Sequence, residues 1–313
     1  MTITQLQYVL AVAKYQNFTL AAEKSFVTQP TLSMQIQKLE DELDILIFDR
    51  GKKPIQLTEV GKKLVDQAKN IVNEANRIKD IVEQQKGFIG GEFKLGIIPT
   101  IMPTLLPMFL SNFIKKYAKV QLKIEELNTE GLIQKIMDGN LDAAIAATPL
   151  QHEHIKERVL YYEPFVAYIP QNHRLYTNKK IDTTDLAIED ILLLEDGHCF
   201  REGVVNLCKS AKGFNDERFQ LESGSFETMV KLANEGLGMT LLPYLHALDL
   251  KGTEKENLHY FNEPTPAREV SLIYHKSELK LHIIEALREV IMGVIRGAIA
   301  FQNVQIISPV AKR

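Results

Sequence analysis

Between residues 59 and 87, Leu64, Ala68, Ile71, Ala75, Ile78 and Val82 recur at alternating spacings of four and three. Only an α-helix gathers such a set on one side, and most of the residues between them are Lys, Asp, Asn, Glu and Gln. A stripe sustained for nearly three heptads needs an apolar partner. A second copy of the same helix is the simplest one, and packing against the chain's own domain is the alternative. The helix also divides the chain. Residues 1–58 read as short helical segments followed by a polar turn and a strand, and from Gly90 onward strands and helices alternate.

In the first stretch Leu6, Val9, Leu10 and Ala13 set one helix, and Thr19 is the expected cap of a second, LAAEKSF. Thr28 caps a third, TLSMQIQKLEDEL, with Pro30 in the first turn, where its missing N–H costs nothing. Leu32, Ile36, Leu39 and Leu43 form the expected buried stripe of this helix. That leaves Gln29, Pro30, Thr31, Ser33, Met34, Gln35 and Lys38 on the outer or N-terminal surface. Short polar side chains and amides at such a tip can reach base edges in a major groove. FDRGKKPIQLT then reads as a hairpin whose Arg50, Lys52 and Lys53 lie on phosphates. The expectation is a winged helix-turn-helix on double-stranded DNA, although an ordinary three-helix subdomain has the same periodicity. Charge adds little: the chain carries −3, and residues 1–87 hold 12 Lys and Arg against 11 Asp and Glu.

The second half reads as α/β. EFKLGI, VQLKIEE, LDAAIAAT, FVAYIP, ILLLE, GMTLLP and VSLIYH are the expected strands of a mostly parallel sheet. Two lobes joined by two crossings are expected to enclose a cleft. No run of eighteen apolar residues is present, and the N-terminus lacks the basic start of a signal peptide, so a cytoplasmic protein is expected. The two cysteines, Cys199 and Cys208, are too few for a disulfide scaffold and are either inert core thiols or a redox pair. His198 beside them lacks a fourth ligand, so neither a metal nor a cofactor is expected.

QLQYVLAVAKYQNFTLAAEKSFVTQPTLSMQIQKLEDEL followed by FDRGKKPIQLTEVG resembles the N-terminal domain of LysR-type transcriptional regulators. The matching features are F-T-x-A-A, Q-P-x-L-S-x-Q-I-x-x-L-E and the R…LT-x-x-G wing exit. The resemblance covers almost the whole chain. It implies an α/β fold with an all-α-rich N-terminal domain: a winged helix-turn-helix at 1–58, a dimerisation helix at 59–89 and a two-lobed, periplasmic-binding-protein-like effector domain at 90–301. Lobe I is expected at about 90–162 plus 268–301, lobe II at about 163–267, and the tail from 302 is expected to fray. The implied assembly is a homodimer and then a homotetramer, with RNA polymerase as a further partner.

A narrower resemblance, to the peroxide-sensing branch of that family, comes from LLLEDGHCFREGVVNLC, from IPT at 98–100, LNTE at 127–130 and PAREV at 266–270. It implies that Cys199 reacts with hydrogen peroxide and that Cys208 resolves the product as a disulfide. Thr100, Thr129, His198 and Arg268 would then line the peroxide pocket. The chemistry needs a thiolate, and the flanking His198 and Arg201 are the expected stabilising groups. If 199–208 were helical, the two Cα atoms would stand about 13 Å apart. A disulfide requires roughly 4.4–6.8 Å, so closing it would remodel FREGVVNL, with Gly203 easing the change. Three other readings compete: a regulator answering a small molecule in the cleft with incidental cysteines, a thiol peroxidase, and a solute-binding protein. The peroxidase leaves the helix-turn-helix without a purpose, and the solute-binding protein lacks its signal peptide, so no enzyme is expected.

Overall fold

Thr2 starts α1 (Ile3–Tyr15) with a capping box: its hydroxyl accepts from Gln5 N while Gln5 Oε1 accepts from Thr2 N at 2.8 Å. The computed structural model describes residues 1–85, 89–208, 223–299 and 303–310. It divides into two units, Met1–Phe88 and Ile89–Arg313. In the first unit α2 (Phe18–Lys24) is capped by Asn17, whose Oδ1 accepts from Leu20 N at 3.0 Å. The expected cap, Thr19, lies inside the helix, because Asn17 is the residue that holds the extended backbone a cap requires. Thr28 caps α3 (Gln29–Leu43), with Pro in the first turn. Leu32, Ile36 and Leu39 are buried against Leu6, Val9, Val12, Ala21 and Ala22. Leu43 is exposed, contrary to expectation, since α3 ends there and the chain turns away at Asp44 in a left-handed conformation.

The wing is a two-stranded hairpin, β1 (Phe48–Asp49) against β2 (Gln56–Leu57). Its base is tied by Glu40, which is buried on α3. Glu40 Oε1 accepts from Ile47 N and Phe48 N at 2.8 and 3.3 Å, and Oε2 accepts from Arg50 at 2.8 Å. After the wing, α4 (Glu59–Gln85) begins so close to the hairpin that a Cβ on Gly61 would stand 2.2 Å from Ile47 O. Only glycine fits there, which is the physical content of the LT-x-x-G pattern.

The first part of α4 completes the unit's own core. Val65, Ala68 and Val72 are buried in it, and Leu64 and Ile71 pack half-buried against it. Ala75 is half-buried and Ile78 is 63% exposed. The side chain of Val82 lies outside the described residues. The expected seam is therefore divided: α1 covers its beginning, and the stripe becomes unpartnered near Ile78 among the described residues.

In the second unit, β3 (Gly91–Ile97), α5 (Met102–Lys116), β4 (Val120–Glu126), α6 (Thr129–Met137) and β5 (Ala143–Thr148) form a parallel α/β layer. Then follow β6 (Ile155–Tyr168), β7 (Lys180–Ile181), α7 (Cys199–Leu207), α8 (Phe226–Asn234), β8 (Thr240–Pro243), α9 (Tyr244–Asp249), β9 (Leu258–Phe261), β10 (Thr265–His275), α10 (Leu281–Ile295) and β11 (Val304–Ile306). The sheet order is β4-β3-β5-β10-β6-β9-β7, with β8 beside β6 and β11 beside β10. β10 runs antiparallel to β5 and β6, so the sheet is mixed rather than mostly parallel. The cause is the long strand β6, which passes between the two cores and pairs antiparallel with β10. β6 contributes Ile155, Leu160 and Tyr161 to one cluster and Phe165, Ala167 and Tyr168 to the other. ILLLE is not a strand and forms only an isolated bridge, Ile191 to Met239. Residues 303–310 of the tail do not fray, contrary to expectation: β11 pairs with β10 and Ile307 is buried, and the rest of the tail lies outside the described residues. Among the described residues no helix is long and apolar enough to cross a membrane.

Replacing Glu40 with Ala strands two buried backbone donors and frees Arg50. The expected cost is on the order of 3 kcal/mol, with faster amide exchange at Ile47 and Phe48. Unchanged exchange at those two amides would show that Glu40 does not hold the wing.

Candidate functional site

Arg268 and Glu163 face each other from the two crossing strands, β10 and β6. They are 3% and 1% exposed. Arg268 donates from Nε and Nη2 to Glu163 Oε2 at 2.9 and 2.7 Å, and Leu245 N donates to Glu163 Oε1 at 3.0 Å. The other edge of the guanidinium reaches the loop after β3, donating to Thr100 Oγ1 and Thr100 O at 3.0 Å each. Arginine has no acceptor, so the Thr100 oxygen accepts and its own hydrogen remains for a further bond. Sequence reasoning missed Glu163. The available signal was an acid inside the apolar run YYEPFVAY, which needs a buried partner.

Thr129 is the first residue of α6, which lies so tightly on β3 that a Cβ on Gly96 would meet Leu132 at 2.2 Å. Its hydroxyl is buried without a hydrogen-bond partner among the described residues, yet it faces the Cys199 thiol closely enough to favour the thiolate. Cys199 opens α7, half-buried against the first hydrophobic cluster. Burial pushes its thiol above the ordinary value. The Arg268 charge, the Thr129 hydroxyl and backbone groups of Ala147 and Phe200 act in the opposite direction.

The structure thus gathers Thr100, Thr129, Arg268 and Cys199, but the cation that favours the thiolate is not a flanking one. His198 Nε2 lies 3.2 Å from Glu195 Oε1. Arg201 pairs with Asp196 at 2.8 Å and donates to Leu194 O at 3.0 Å. Both are held by neighbours on the loop before α7, whereas Arg268 approaches from the sheet and lies 5.3 Å from the Phe200 ring centre.

Cys208 stands at the other end of α7, 3% exposed, in the second hydrophobic cluster. Burial, and then the Glu189 carboxylate, push its thiol up to about 11. Both cysteines are free. Because α7 is wound through Cys199–Leu207, the two Cα atoms stand about 13 Å apart, roughly twice what a disulfide spans. No group of three or more His, Cys, Asp or Glu is arranged for a metal among the described residues.

In the first unit Gln29, Pro30, Thr31, Met34 and Lys38 are exposed on α3, and Ser33 and Gln35 are half-buried. Of the wing cations, Arg50 is engaged by Glu40 and lies 5.2 Å from the Phe18 ring centre. It is therefore part of the unit's own packing, while Lys52 and Lys53 stay exposed.

The family described as "Bacterial regulatory helix-turn-helix protein, lysR family" matches residues 3–62, and "LysR substrate binding domain" matches residues 86–295. The hydrogen peroxide-inducible genes activator of Pectobacterium carotovorum subsp. carotovorum is 33% identical, over 88% of this chain and 90% of its own. The DNA-binding transcriptional dual regulator OxyR of Escherichia coli K12 is 32% identical, over 95% and 97%. A full-length cysteine-to-aspartate mutant of Pseudomonas aeruginosa OxyR is a structural neighbour at a TM-score of 0.77 and 34% identity, covering 96% of this chain and 99% of that one. An H2O2-bound mutant of Corynebacterium glutamicum OxyR has a TM-score of 0.62 at 27% identity, covering 95% and 93%.

The suppressed ionisation of Cys208 has a pH signature. Its folded value is raised from 9.0 to about 11, so the stability it contributes is complete below pH 9 and is lost as pH rises towards 11. In the reduced protein, denaturation followed by circular dichroism should show an alkaline loss that is about 3 kcal/mol smaller in Cys208→Ala. Parallel pH profiles for the two proteins would contradict a buried neutral thiol.

Proposed function

The chain belongs to the LysR family of bacterial transcriptional regulators, and on that premise we propose that it senses hydrogen peroxide at Cys199 and alters its grip on DNA through a Cys199–Cys208 disulfide. One observation carries the reading: Arg268, held by Thr100, and the Thr129 hydroxyl both favour the Cys199 thiolate, and a second cysteine ends the same helix. The Cys199 thiolate, favoured by Arg268, attacks one peroxide oxygen, the O–O bond breaks, and the other oxygen departs as hydroxide and takes up a proton. Thr100, whose oxygen already accepts from Arg268, donates to the departing oxygen. Thr129 supplies the second hydroxyl of the pocket. Cys208 then attacks the sulfenic sulfur; the S–S bond forms, the S–O bond breaks, and the oxygen leaves as water with the Cys208 proton.

Unwinding of α7 converts this local bond into a rearrangement of the effector domain. The output is the tip of α3, where Gln29, Thr31, Ser33, Gln35 and Lys38 contact DNA beside Pro30 and Met34, with Lys52 and Lys53 on phosphates. The α4 seam around Ile78 joins two chains so that two tips read one two-fold site. Pairing of dimers gives the tetramer that meets RNA polymerase at promoters in the cytoplasm. The protein is oxidised about once per chain and does not turn over as a peroxidase.

Treating the reduced protein with a small excess of peroxide and mapping peptides without reduction tests the mechanism. The expected results are a 199–208 disulfide, a changed DNA footprint, and no response from Cys199→Ser. A full response from that variant overturns the mechanism, and sustained peroxide consumption with a thiol reductant makes the protein an enzyme. Ile78→Asp is expected to weaken self-association and DNA binding together in sedimentation and binding titrations, with little effect on folding. Ile71 is the poorer choice because it packs on its own core. Unchanged association of Ile78→Asp removes the seam.

A further inference from the structure

Residues 303–310 have no part in the chemistry above, yet they are built into the fold. Asn303 O accepts from Thr265 N at 3.1 Å, and β11 runs parallel to the first residues of β10, Thr265 opposite Val304 and Ala267 opposite Ile306. Ile307 N then donates to Ala267 O at 2.8 Å. Ile307 is 9% exposed and joins the hydrophobic cluster that holds Val204, Leu207 and Cys208. Just beyond it, Ser308 O and Val310 O each accept from Asn206 Nδ2 at 3.0 Å. Both N–H groups of one side-chain amide are thereby used on the chain's C-terminal segment.

Asn206 sits in the last turn of α7, two residues before Cys208 and between the two cysteines. Closing a disulfide must bring those Cα atoms from about 13 Å to below roughly 6.8 Å, which a wound helix cannot do. The turn that carries Asn206 therefore has to leave its place. Its two hydrogen bonds, and the packing of Ile307 on the same cluster, hold that turn where it is.

We propose that Asn206 and residues 303–310 form a latch that keeps α7 wound, so that Asn206 is a positioning residue for the resolving step and the latch opens when the disulfide closes. The proposal rests on the peroxide-sensing reading and adds a restraint on its second step. In that step the Cys208 thiol attacks the sulfenic sulfur of Cys199, S–S forms, S–O breaks and water leaves, so no oxidant is needed beyond the peroxide already consumed. The latch acts on closure and not on sulfenic-acid formation, because Asn206 makes no contact with Thr100, Thr129 or Arg268 among its described bonds. Cys208 is also a poor nucleophile while buried, since burial pushes its thiol up, and release of the turn relieves that too.

The test uses the full-length reduced protein mixed rapidly with one equivalent of hydrogen peroxide. Sulfenic acid is read by dimedone trapping and closure by alkylation and intact mass. In Asn206→Leu, and separately in a chain ending at Gln302, closure should be on the order of tenfold faster, the worth of two neutral hydrogen bonds, with sulfenic-acid formation unchanged. Adding Asn206→Leu to the truncated chain should change nothing further, because the truncation has already removed both acceptors of the Asn206 amide. In the unaltered protein, carboxypeptidase Y should remove residues 303–310 several-fold faster after oxidation than before. If a disulfide forms but closure and digestion rates are unchanged, the latch fails and the sensor stands. If both chemical steps shift together, Asn206 is merely structural and the latch fails. If no 199–208 disulfide forms at all, the sensor reading fails and the latch with it.

Discussion

A guanidinium removed from water is costly unless its charge and donors are all met, and Arg268 is 3% exposed. Glu163 meets the charge from the neighbouring strand, and Thr100 meets the remaining donors from the loop after β3. Three segments distant in sequence are thereby pinned at one point. Arg268, the buried positive charge acting on the Cys199 thiol, can sit there because Glu163 holds it. Losing either Arg268 or Glu163 would leave an uncompensated buried charge, typically a penalty of about 3–5 kcal/mol. The same contact sets the Thr100 hydroxyl as a donor and fixes the cation against the Phe200 ring, and so the start of α7 follows from it.

Helix α7 connects two hydrophobic clusters, with Cys199 against one and Cys208 inside the other. Phe200 is wedged edge-on between Phe165 and Phe226, with ring centres 5.0 and 4.9 Å apart. The helix is therefore held by packing at one end and by packing together with the tail at the other. Both thiols are pushed up by burial, and both are kept beyond bonding distance. In the proposed mechanism a resting state of this kind would separate the two chemical steps, the first inside the wound structure and the second only after it unwinds.

In the first unit the same economy governs α4. One helix serves two ends: its first part, with Val65, Ala68 and Val72, closes the core, and the stripe emerges at Ile78. Similarly, Arg50 could not be free for phosphate while Glu40 needed a cation beside two buried amides.

What the amino-acid order determined by itself was local. The cap at Thr28, the proline in the first turn of α3, the hairpin of the wing, the α/β alternation and the spacing of Cys199 from Cys208 depend on residues a few positions apart. Periodicity and backbone preference report such relations directly. Asn17 in place of Thr19 as a cap, and Leu43 left exposed, are errors of a residue or two at helix ends. The tertiary structure alone decided which cation faces the thiol, that Glu163 belongs to the site, how much of the α4 stripe is already covered, and that the tail docks on α7. Each of these depends on strand order, with β10 between β5 and β6 and β11 beside β10, and strand order is set by the collective burial of two cores. His198 and Arg201 adjoin Cys199 in sequence, yet the cation that favours its thiolate is Arg268, because packing of the sheet, not chain neighbourhood, sets which charge acts on it in a dry interior.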